Sequence, residues 1–108
     1  MSTSQPRAAG FELCRFEIDL REPQLVASGE IDLGNSHTFA AALAEVARLG
    51  AGTIAELSGV TFMDSTGLSV LLEHRLDGNQ VTVRNPSSCV ARLLALTAVD
   101  GLVRIERT

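Results

Sequence analysis

The stretch from residue 53 to residue 76 constrains the fold most, because an apolar strand pattern passes there into a helical pattern. Residues 53–57 carry the apolar Ile54, Ala55 and Leu57 and are flanked by glycines, which predicts a short buried strand despite Glu56. Ser58 and Gly59 predict a turn after it. Leucines then recur at helical spacing, at positions 68, 71, 72 and 76. We therefore expect a buried strand that leads into a helix starting near Asp64 or Ser65.

The rest of the chain alternates between the same two patterns. Strands are predicted at residues 11–20, 24–30, 80–84 and 102–105, and apolar and polar residues alternate in the first of them from Cys14 onward. The first two strands are separated by a short turn and predict an antiparallel hairpin, whereas strands separated by helices predict parallel pairing. The predicted architecture is a single α/β domain over residues 11–108, with a mixed, mostly parallel sheet of four to five strands and about three helices. Residues 1–10 are small and polar, and we expect them to be mobile.

Two more helices are predicted on either side of the central unit. The first covers residues 36–49 and ends at Gly50. Its inward face consists of Phe39, Leu43 and Val46. The second follows a turn at residues 85–88, where one of the serines caps it. Its inward face consists of Val90, Leu93, Leu94 and Thr97.

Composition restricts the classes of function. A chain of 108 residues with 45% hydrophobic residues has the size and core of one domain. Its net charge is −4, and no run of lysine or arginine offers the clustered basic surface that nucleic-acid binding needs. No apolar run approaches the roughly 20 residues that span a bilayer, and the N-terminus has no secretory pattern. We expect a cytoplasmic protein without membrane insertion.

The cysteines and histidines do not form a recognisable site. Cys14 and Cys89 predict reduced, partly buried thiols, and a redox disulfide would require their Cα atoms to lie within about 7 Å. His37 and His74 have no metal-ligand spacing to each other or to the cysteines. We therefore expect no metal site, and both histidines are interpreted as surface or partly buried helix residues.

Two hypotheses fit Ser65. As a helix cap, its hydroxyl would accept hydrogen bonds from first-turn amides. As a modification site, it would carry a phosphate that those amides and the helix dipole favour. Asp64 would then lie beside the phosphate, and two unit charges about 4 Å apart near a protein surface interact by up to about 4 kcal/mol before screening. A phosphate could therefore disrupt a partner contact without unfolding the domain.

Three blocks of the sequence resemble the signature blocks of STAS domains. They are Gly-Glu-Ile-Asp at residues 29–32, Leu-Ser-Gly-Val-Thr-Phe-Met-Asp-Ser-Thr-Gly-Leu at residues 57–68, and Val-Ala-Arg-Leu-Leu-Ala-Leu-Thr at residues 90–97. The resemblance covers residues 16–107, and within the superfamily it is strongest to bacterial anti-sigma factor antagonists. It implies a single STAS-like domain.

The resemblance also implies a regulatory protein rather than an enzyme. In that family, the serine after the motif aspartate is phosphorylated by a partner that is both an anti-sigma factor and an ATP-using serine kinase. That position is Ser65 here, with Thr66 as the alternative. The unphosphorylated form binds the anti-sigma factor and releases the sigma factor, and a serine phosphatase resets the phosphorylated form. The protein itself needs no cofactor for this role.

The same resemblance identifies the surroundings of the switch. Asp32 matches an acidic residue close to the phosphorylation site, although the residue type alone favours an ordinary strand-end aspartate. Asp64, Thr66, Gly67 and Leu68 complete the expected partner-binding surroundings.

Other functions remain as alternatives. An enzyme is disfavoured, since the chain has no Gly-x-Ser-x-Gly elbow and no glycine-rich phosphate-binding motif. A STAS domain can also serve as an accessory subunit of a membrane transport, lipid-trafficking or stress-signalling complex. Direct sensing of ATP or GTP is a third hypothesis, which equilibrium dialysis would test.

Overall fold

A computed structural model describes residues 14–50, 52–97 and 101–108, and these residues form one mixed sheet with three helices. The elements are β1 (Cys14–Asp19), β2 (Gln24–Ile31), α1 (Ser36–Leu49), β3 (Thr53–Met63), α2 (Ser65–Leu76), β4 (Val81–Arg84), α3 (Ser88–Leu96) and β5 (Arg104–Glu106). The strand order is β1-β2-β3-β4-β5; β1 is antiparallel to β2, and every other neighbouring pair is parallel. The predicted α/β architecture with an N-terminal hairpin is confirmed.

The core lies between the helices and one face of the sheet. Alternate strand residues are buried, as the period of two requires; these include Leu25 and Ala27 in β2, Ala55 and Leu57 in β3, and Val81 and Val83 in β4. Helix α1 packs against β1, β2, β3 and α2. Its predicted inward residues Phe39, Leu43 and Val46 are fully buried, and the ring of Phe39 stacks on Phe16 with 5.7 Å between centroids. This prediction is confirmed.

Strand β3 is longer than predicted, and the predicted turn at Ser58 and Gly59 is wrong. The strand continues to Met63, because β2 pairs with it along this whole length, with register shifts on either side of the Ser28–Gly59 pair. A Cβ on Gly59 would lie 2.9 Å from the Cβ of Ser28. The glycine therefore allows a close approach of two strands at an irregular pairing, which is a known use of glycine inside a strand.

Several element boundaries differ from the predictions. Strand β1 ends at Asp19, and Leu20 begins the exposed turn; residues 11–13, like the expected mobile segment 1–10, lie outside the described residues. Strand β5 starts at Arg104 rather than at residue 102. Leu76 follows the leucine spacing of α2 but is 76% exposed, because it is the last residue of the helix.

Helix α3 also departs from prediction in detail. Ser87 occupies the N-cap position, but its side chain makes no capping hydrogen bond and its Oγ instead lies 3.3 Å from Cys89 Sγ. Val90 and Leu94 are buried as predicted, whereas Thr97 is exposed. Thr97 lies past the end of the helix and its hydroxyl donates to the carbonyl of Leu93 at 2.7 Å, so it does not face the core.

The two cysteines are free. Cys14 pairs with Gly29 in β2, and Gly29 pairs with Val60 in β3. The Cys89 thiol donates to the carbonyl of Val60 at 3.4 Å. Strand β2 therefore separates Cys14 from the strand that Cys89 contacts, and the redox disulfide has no support from the fold.

The histidines lie on helices, as predicted. His37 is exposed on α1, and His74 is partly buried on α2, where its Nε2 lies 2.7 Å from the hydroxyl of buried Thr53. Across the three described segments of the chain, no cluster of three or more His, Cys, Asp or Glu side chains is arranged to hold a metal ion. None of the described helices is long and apolar enough to cross a membrane.

Candidate functional site

The carboxyl ends of β2 and β3 bring the predicted site residues to one edge of the sheet. Ile31 and Met63 are paired at the ends of these two parallel strands. The backbone N–H of Asp64 donates to the carbonyl of Ile31 at 3.3 Å, which ties the start of α2 to the end of β2. Asp32 and Asp64 each follow a strand directly, so both lie at this edge. Sites in open α/β sheets commonly form beyond such strand ends.

Asp64 is the cap of helix α2. Its Oδ1 accepts the backbone N–H groups of Thr66 at 2.9 Å and of Gly67 at 3.3 Å, and it also accepts the Thr66 hydroxyl. The hydrogen bond from the Thr66 side chain, reinforced by those backbone N–H groups, holds the pKa of Asp64 below its ordinary value. The hypothesis that Ser65 caps this helix is therefore wrong.

Ser65 is the first residue of α2, and it is exposed. Within the described part of the chain, its hydroxyl makes no hydrogen bond and leaves the side chain available to solvent. The neighbouring hydroxyl of Thr66 is bound to Asp64. The two candidate hydroxyls of the sequence motif thus differ in kind: one is free, and the other is part of the cap.

Gly67 and Leu68 fasten the first turn of α2 to the strand ends. A Cβ on Gly67 would lie 2.7 Å from Met63 Cγ and 3.1 Å from Ile31 Cγ2, so only glycine permits this approach without a shift of its neighbours. Leu68 is buried in the core. Both residues therefore support the position of the exposed Ser65, and neither of them offers a large surface to a partner.

Asp32 belongs to a loop that Asn35 holds in place. Asp32 Oδ1 accepts the N–H of Gly34 at 2.9 Å, and the N–H of Asp32 donates to Asn35 Oδ1 at 3.0 Å. The Asn35 amide also donates to the carbonyl of Glu30 at 2.8 Å. Sequence reasoning missed Asn35, although Asp, Gly and Asn are residue types that favour turns.

The negative charge of Asp32 affects the Cys14 thiol at the start of β1. Burial raises the pKa of the Cys14 thiol, which is also raised by the nearby negative charge of Asp32. Cys14 is the first residue of β1, and β1 runs antiparallel to β2. The start of β1 therefore lies at the same end of the sheet as Asp32 and Asp64.

Two amides of the first turn of α2 already donate to the Asp64 side chain. The sequence predicted that these N–H groups would receive a phosphate on Ser65, but those of Thr66 and Gly67 donate to Asp64. A phosphate on Ser65 would therefore meet a carboxylate before it met free amides. At about 4 Å and an effective dielectric constant of about 20, that repulsion reaches about 4 kcal/mol per pair of unit charges before screening.

Comparisons with known proteins agree with this fold. The anti-sigma factor antagonist SpoIIAA in its unphosphorylated form is 19% identical, with a TM-score of 0.63 over 88% of this chain and 87% of that one. An anti-sigma factor antagonist from Mycobacterium paratuberculosis is 23% identical, with a TM-score of 0.72 over 88% of this chain and 85% of that one. No curated protein sequence matches the chain. The family model described as Mlab, STAS domain matches residues 14–104. Because this match covers most of the chain, the protein belongs to the Mlab, STAS domain family.

Proposed function

We propose that this protein is a cytoplasmic anti-sigma factor antagonist and that phosphorylation of Ser65 switches its binding off. The observation that carries the proposal is the free, exposed hydroxyl of Ser65 at the start of α2, beside an aspartate that already caps the helix. A hydroxyl outside the network of hydrogen bonds is open to a kinase. Its modification leaves the cap of the helix intact.

The electrostatics of the edge explain how a phosphate would act. Phosphorylation adds about two negative charges to Ser65. Asp64 lies next to it in sequence, and Asp32 lies at the same edge of the sheet. A partner that packs against this edge in the unphosphorylated form would then have to bury three acidic groups together, which costs several kcal/mol without a matching cation. Binding is lost while the fold is kept.

The proposed partner is an anti-sigma factor with serine kinase activity, and a serine phosphatase restores the binding form. The kinase would supply the ATP chemistry, since the antagonist contributes the hydroxyl and the surface around it. The similarity to solved anti-sigma factor antagonists supports this class of partner through the shared fold. In this scheme the unphosphorylated protein occupies the anti-sigma factor and so frees the sigma factor.

Mapping the modified site in native cells tests this proposal. We expect a phosphate on Ser65 in the wild-type protein and in the Thr66→Ala variant, and no phosphate in Ser65→Ala. The Ser65→Ala variant should also retain a kinase-like anti-sigma factor during purification. A phosphate that persists in Ser65→Ala but disappears in Thr66→Ala would move the switch to Thr66. Absence of any phosphate under all growth conditions would contradict the switch.

A second candidate function is an accessory STAS subunit of a membrane transport, lipid-trafficking or stress-signalling complex. The observation that favours it is the matching family model, which is named for Mlab rather than for an antagonist. The two candidates differ in the partner that the Ser65→Ala variant retains. Membrane or transport proteins as main partners, with no phosphate on Ser65, would support the accessory subunit.

A further inference from the structure

A groove lies between the end of β3 and one face of α3, close to but distinct from the Ser65 edge. Its volume is about 380 Å³. The lining residues are Phe62, Met63, Ser88, Cys89, Arg92, Leu93 and Leu96. Two of the apolar ones are substantially exposed, Phe62 at 47% and Leu96 at 77%. Contiguous exposed apolar surface of this kind usually marks a binding site.

Helix α3 carries apolar residues on two of its faces. Val90 and Leu94 already bury one face against the sheet. Cys89, Leu93 and Leu96 form a second apolar face that lines the groove. Cys89 and Leu93 are half-buried and also pack against the core, whereas Leu96 is 77% exposed, so the outer part of this face is available to something outside this chain.

The last part of β3, residues 57–63, pairs with a strand on one side only among the described residues. Strand β4 pairs with β3 from Thr53 to Glu56, and among the described residues no strand continues that pairing along residues 57–63. The start of α3 compensates in part: the N–H of Ser87 donates to the carbonyl of Leu57, and the Cys89 thiol to that of Val60. A strand with one open side is a template for pairing with another extended segment.

The charge of the groove selects the type of segment. Arg92 is the one charged residue of the lining, it is exposed, and no acidic side chain in the described ranges pairs with it. The protein as a whole carries a net charge of −4, which repels acidic ligands at long range. A preference for an acidic ligand would therefore come from the groove itself.

We infer that this groove binds an extended, acidic and apolar segment of a partner protein, which adds to the open side of β3. Apolar side chains of the segment contact Phe62, Leu93 and Leu96, and an acidic side chain pairs with Arg92. This surface goes beyond the Ser65 switch and does not depend on phosphorylation. A partner could then bind at two surfaces: the groove, and the edge of the sheet where Ser65 controls binding.

Peptide binding to the purified full chain tests the inference. The probe is a fluorescein-labelled heptapeptide that alternates valine with aspartate, and its control alternates valine with lysine. We expect the acidic peptide to bind at least tenfold more tightly by fluorescence anisotropy. The variant Arg92→Glu should reverse this preference. Amide hydrogen exchange should slow within residues 57–63 when the acidic peptide is bound.

Matched variants distinguish a loss of peptide binding in the groove from a general effect of an added aspartate on the protein. Leu96→Asp should weaken binding of the acidic peptide at least tenfold. Leu76→Asp, at a leucine that is 76% exposed on α2 and does not line the groove, should leave it unchanged. The Ser65 switch is measured by binding of the anti-sigma factor and the groove by binding of the peptide, so failure of the Ser65 switch and failure of the groove are distinguishable.

Other outcomes would overturn the inference. Binding of the peptide without protection of residues 57–63 would exclude strand addition. No binding of the acidic peptide, with Arg92-dependent binding of decanoate instead, would make the groove a pocket for small amphipathic acids. A dimer of this chain that Leu96→Asp dissociates would identify a second copy as the occupant.

Discussion

At the scale of residues, Asp64 and Ser65 have different roles at the start of α2: Asp64 caps the helix and Ser65 presents a free hydroxyl. Asp64 and Ser65 are both common N-cap types, and their sequence alone leaves open which of them caps the helix. The backbone decides: Asp64 is extended, at φ −101° and ψ −171°, and its N–H is held by the carbonyl of Ile31. That contact comes from the neighbouring strand, which local sequence does not encode. The cap assignment therefore required the tertiary structure.

The cap makes a prediction about stability. Asp64→Ala should lower the free energy of unfolding by about 1 kcal/mol, since the side chain accepts N–H groups of the first turn. The control is Ser87→Ala, at an N-cap whose side chain makes no capping hydrogen bond. Urea denaturation of both variants checks this. An equal loss in the two variants would contradict the role of Asp64.

The contribution of the Asp64 side chain to the free energy of unfolding depends on pH, and the direction of the pKa shift gives the sign of that dependence. The folded state lowers the pKa of Asp64, so the contribution of the carboxylate is complete above the unfolded pKa of about 3.9. It is lost as the pH falls through the lowered folded pKa. The difference between wild type and Asp64→Ala should therefore shrink when unfolding is measured at progressively lower pH.

Gly67 makes a second prediction at this scale. Alanine is the better helix former by about 1 kcal/mol, but overpacking of a core usually costs about 1–3 kcal/mol. With Met63 Cγ at 2.7 Å from the added Cβ, we expect Gly67→Ala to be destabilised. Gly101→Ala, where an added Cβ meets nothing within 4 Å, is the control. Thermal denaturation that ranks Gly67→Ala as the more stable variant would exclude the close approach.

At the scale of elements, apolar spacing predicted the type of every described strand and helix, and contacts set their ends. Helix α1 begins and ends as predicted, because its apolar period and its flanking residues agree. Strand β3 was predicted too short, because Ser58 and Gly59 resemble a turn when β2 is not considered. The contact between Gly59 and Ser28 is a property of two strands. A single segment cannot reveal it.

The attachment of α2 to β3 makes a prediction at this scale. Burial lowers the pKa of His74, against a smaller opposing effect of Asp77, and the imidazole lies 2.7 Å from the Thr53 hydroxyl. A lowered folded pKa means that the contribution to stability is complete above about pH 6.5 and is lost as the pH falls through the folded pKa. We expect the urea midpoint to drop between pH 7.5 and pH 5.5.

Two substitutions isolate this effect. His74→Gln should flatten the dependence of the urea midpoint on pH, because it removes the titrating group. His37→Gln, at an exposed position of α1, should leave the dependence of the wild type in place. If the slope is the same in all three proteins, His74 does not link stability to pH.

At the scale of the whole molecule, the alternation of strands and helices predicted the antiparallel hairpin and the parallel strands, but not the order of the strands in the sheet. That Asp32 lies near Asp64 was expected from the family resemblance, and the structure brings both to one edge because the parallel strands β2 and β3 end on the same side of the sheet. The alternation did not predict the groove between β3 and α3. That surface depends on β4 being shorter than β3 and on the orientation of α3, which only the assembled sheet defines.

Two surfaces of the molecule therefore have separate proposed tasks. The edge with Asp32, Asp64 and Ser65 would carry the switch, and the groove with Phe62, Arg92 and Leu96 would hold an extended segment. Neither requires a change of fold, since Ser65 makes no contact that the core depends on. In the proposed switch, negative charge at Ser65 alone is sufficient to release the anti-sigma factor.

The most direct test uses the anti-sigma factor kinase that co-purifies with the Ser65→Ala variant. Its affinity is measured by titration with each of three variants of this protein: Ser65→Ala, Ser65→Asp and Ser69→Asp. Ser69 is exposed one turn further along α2, so Ser69→Asp adds the same charge outside the first turn that Asp64 caps. We predict that Ser65→Asp binds at least tenfold more weakly than Ser65→Ala, whereas Ser69→Asp stays within about twofold of it. Equal affinity of Ser65→Asp and Ser65→Ala would contradict the switch.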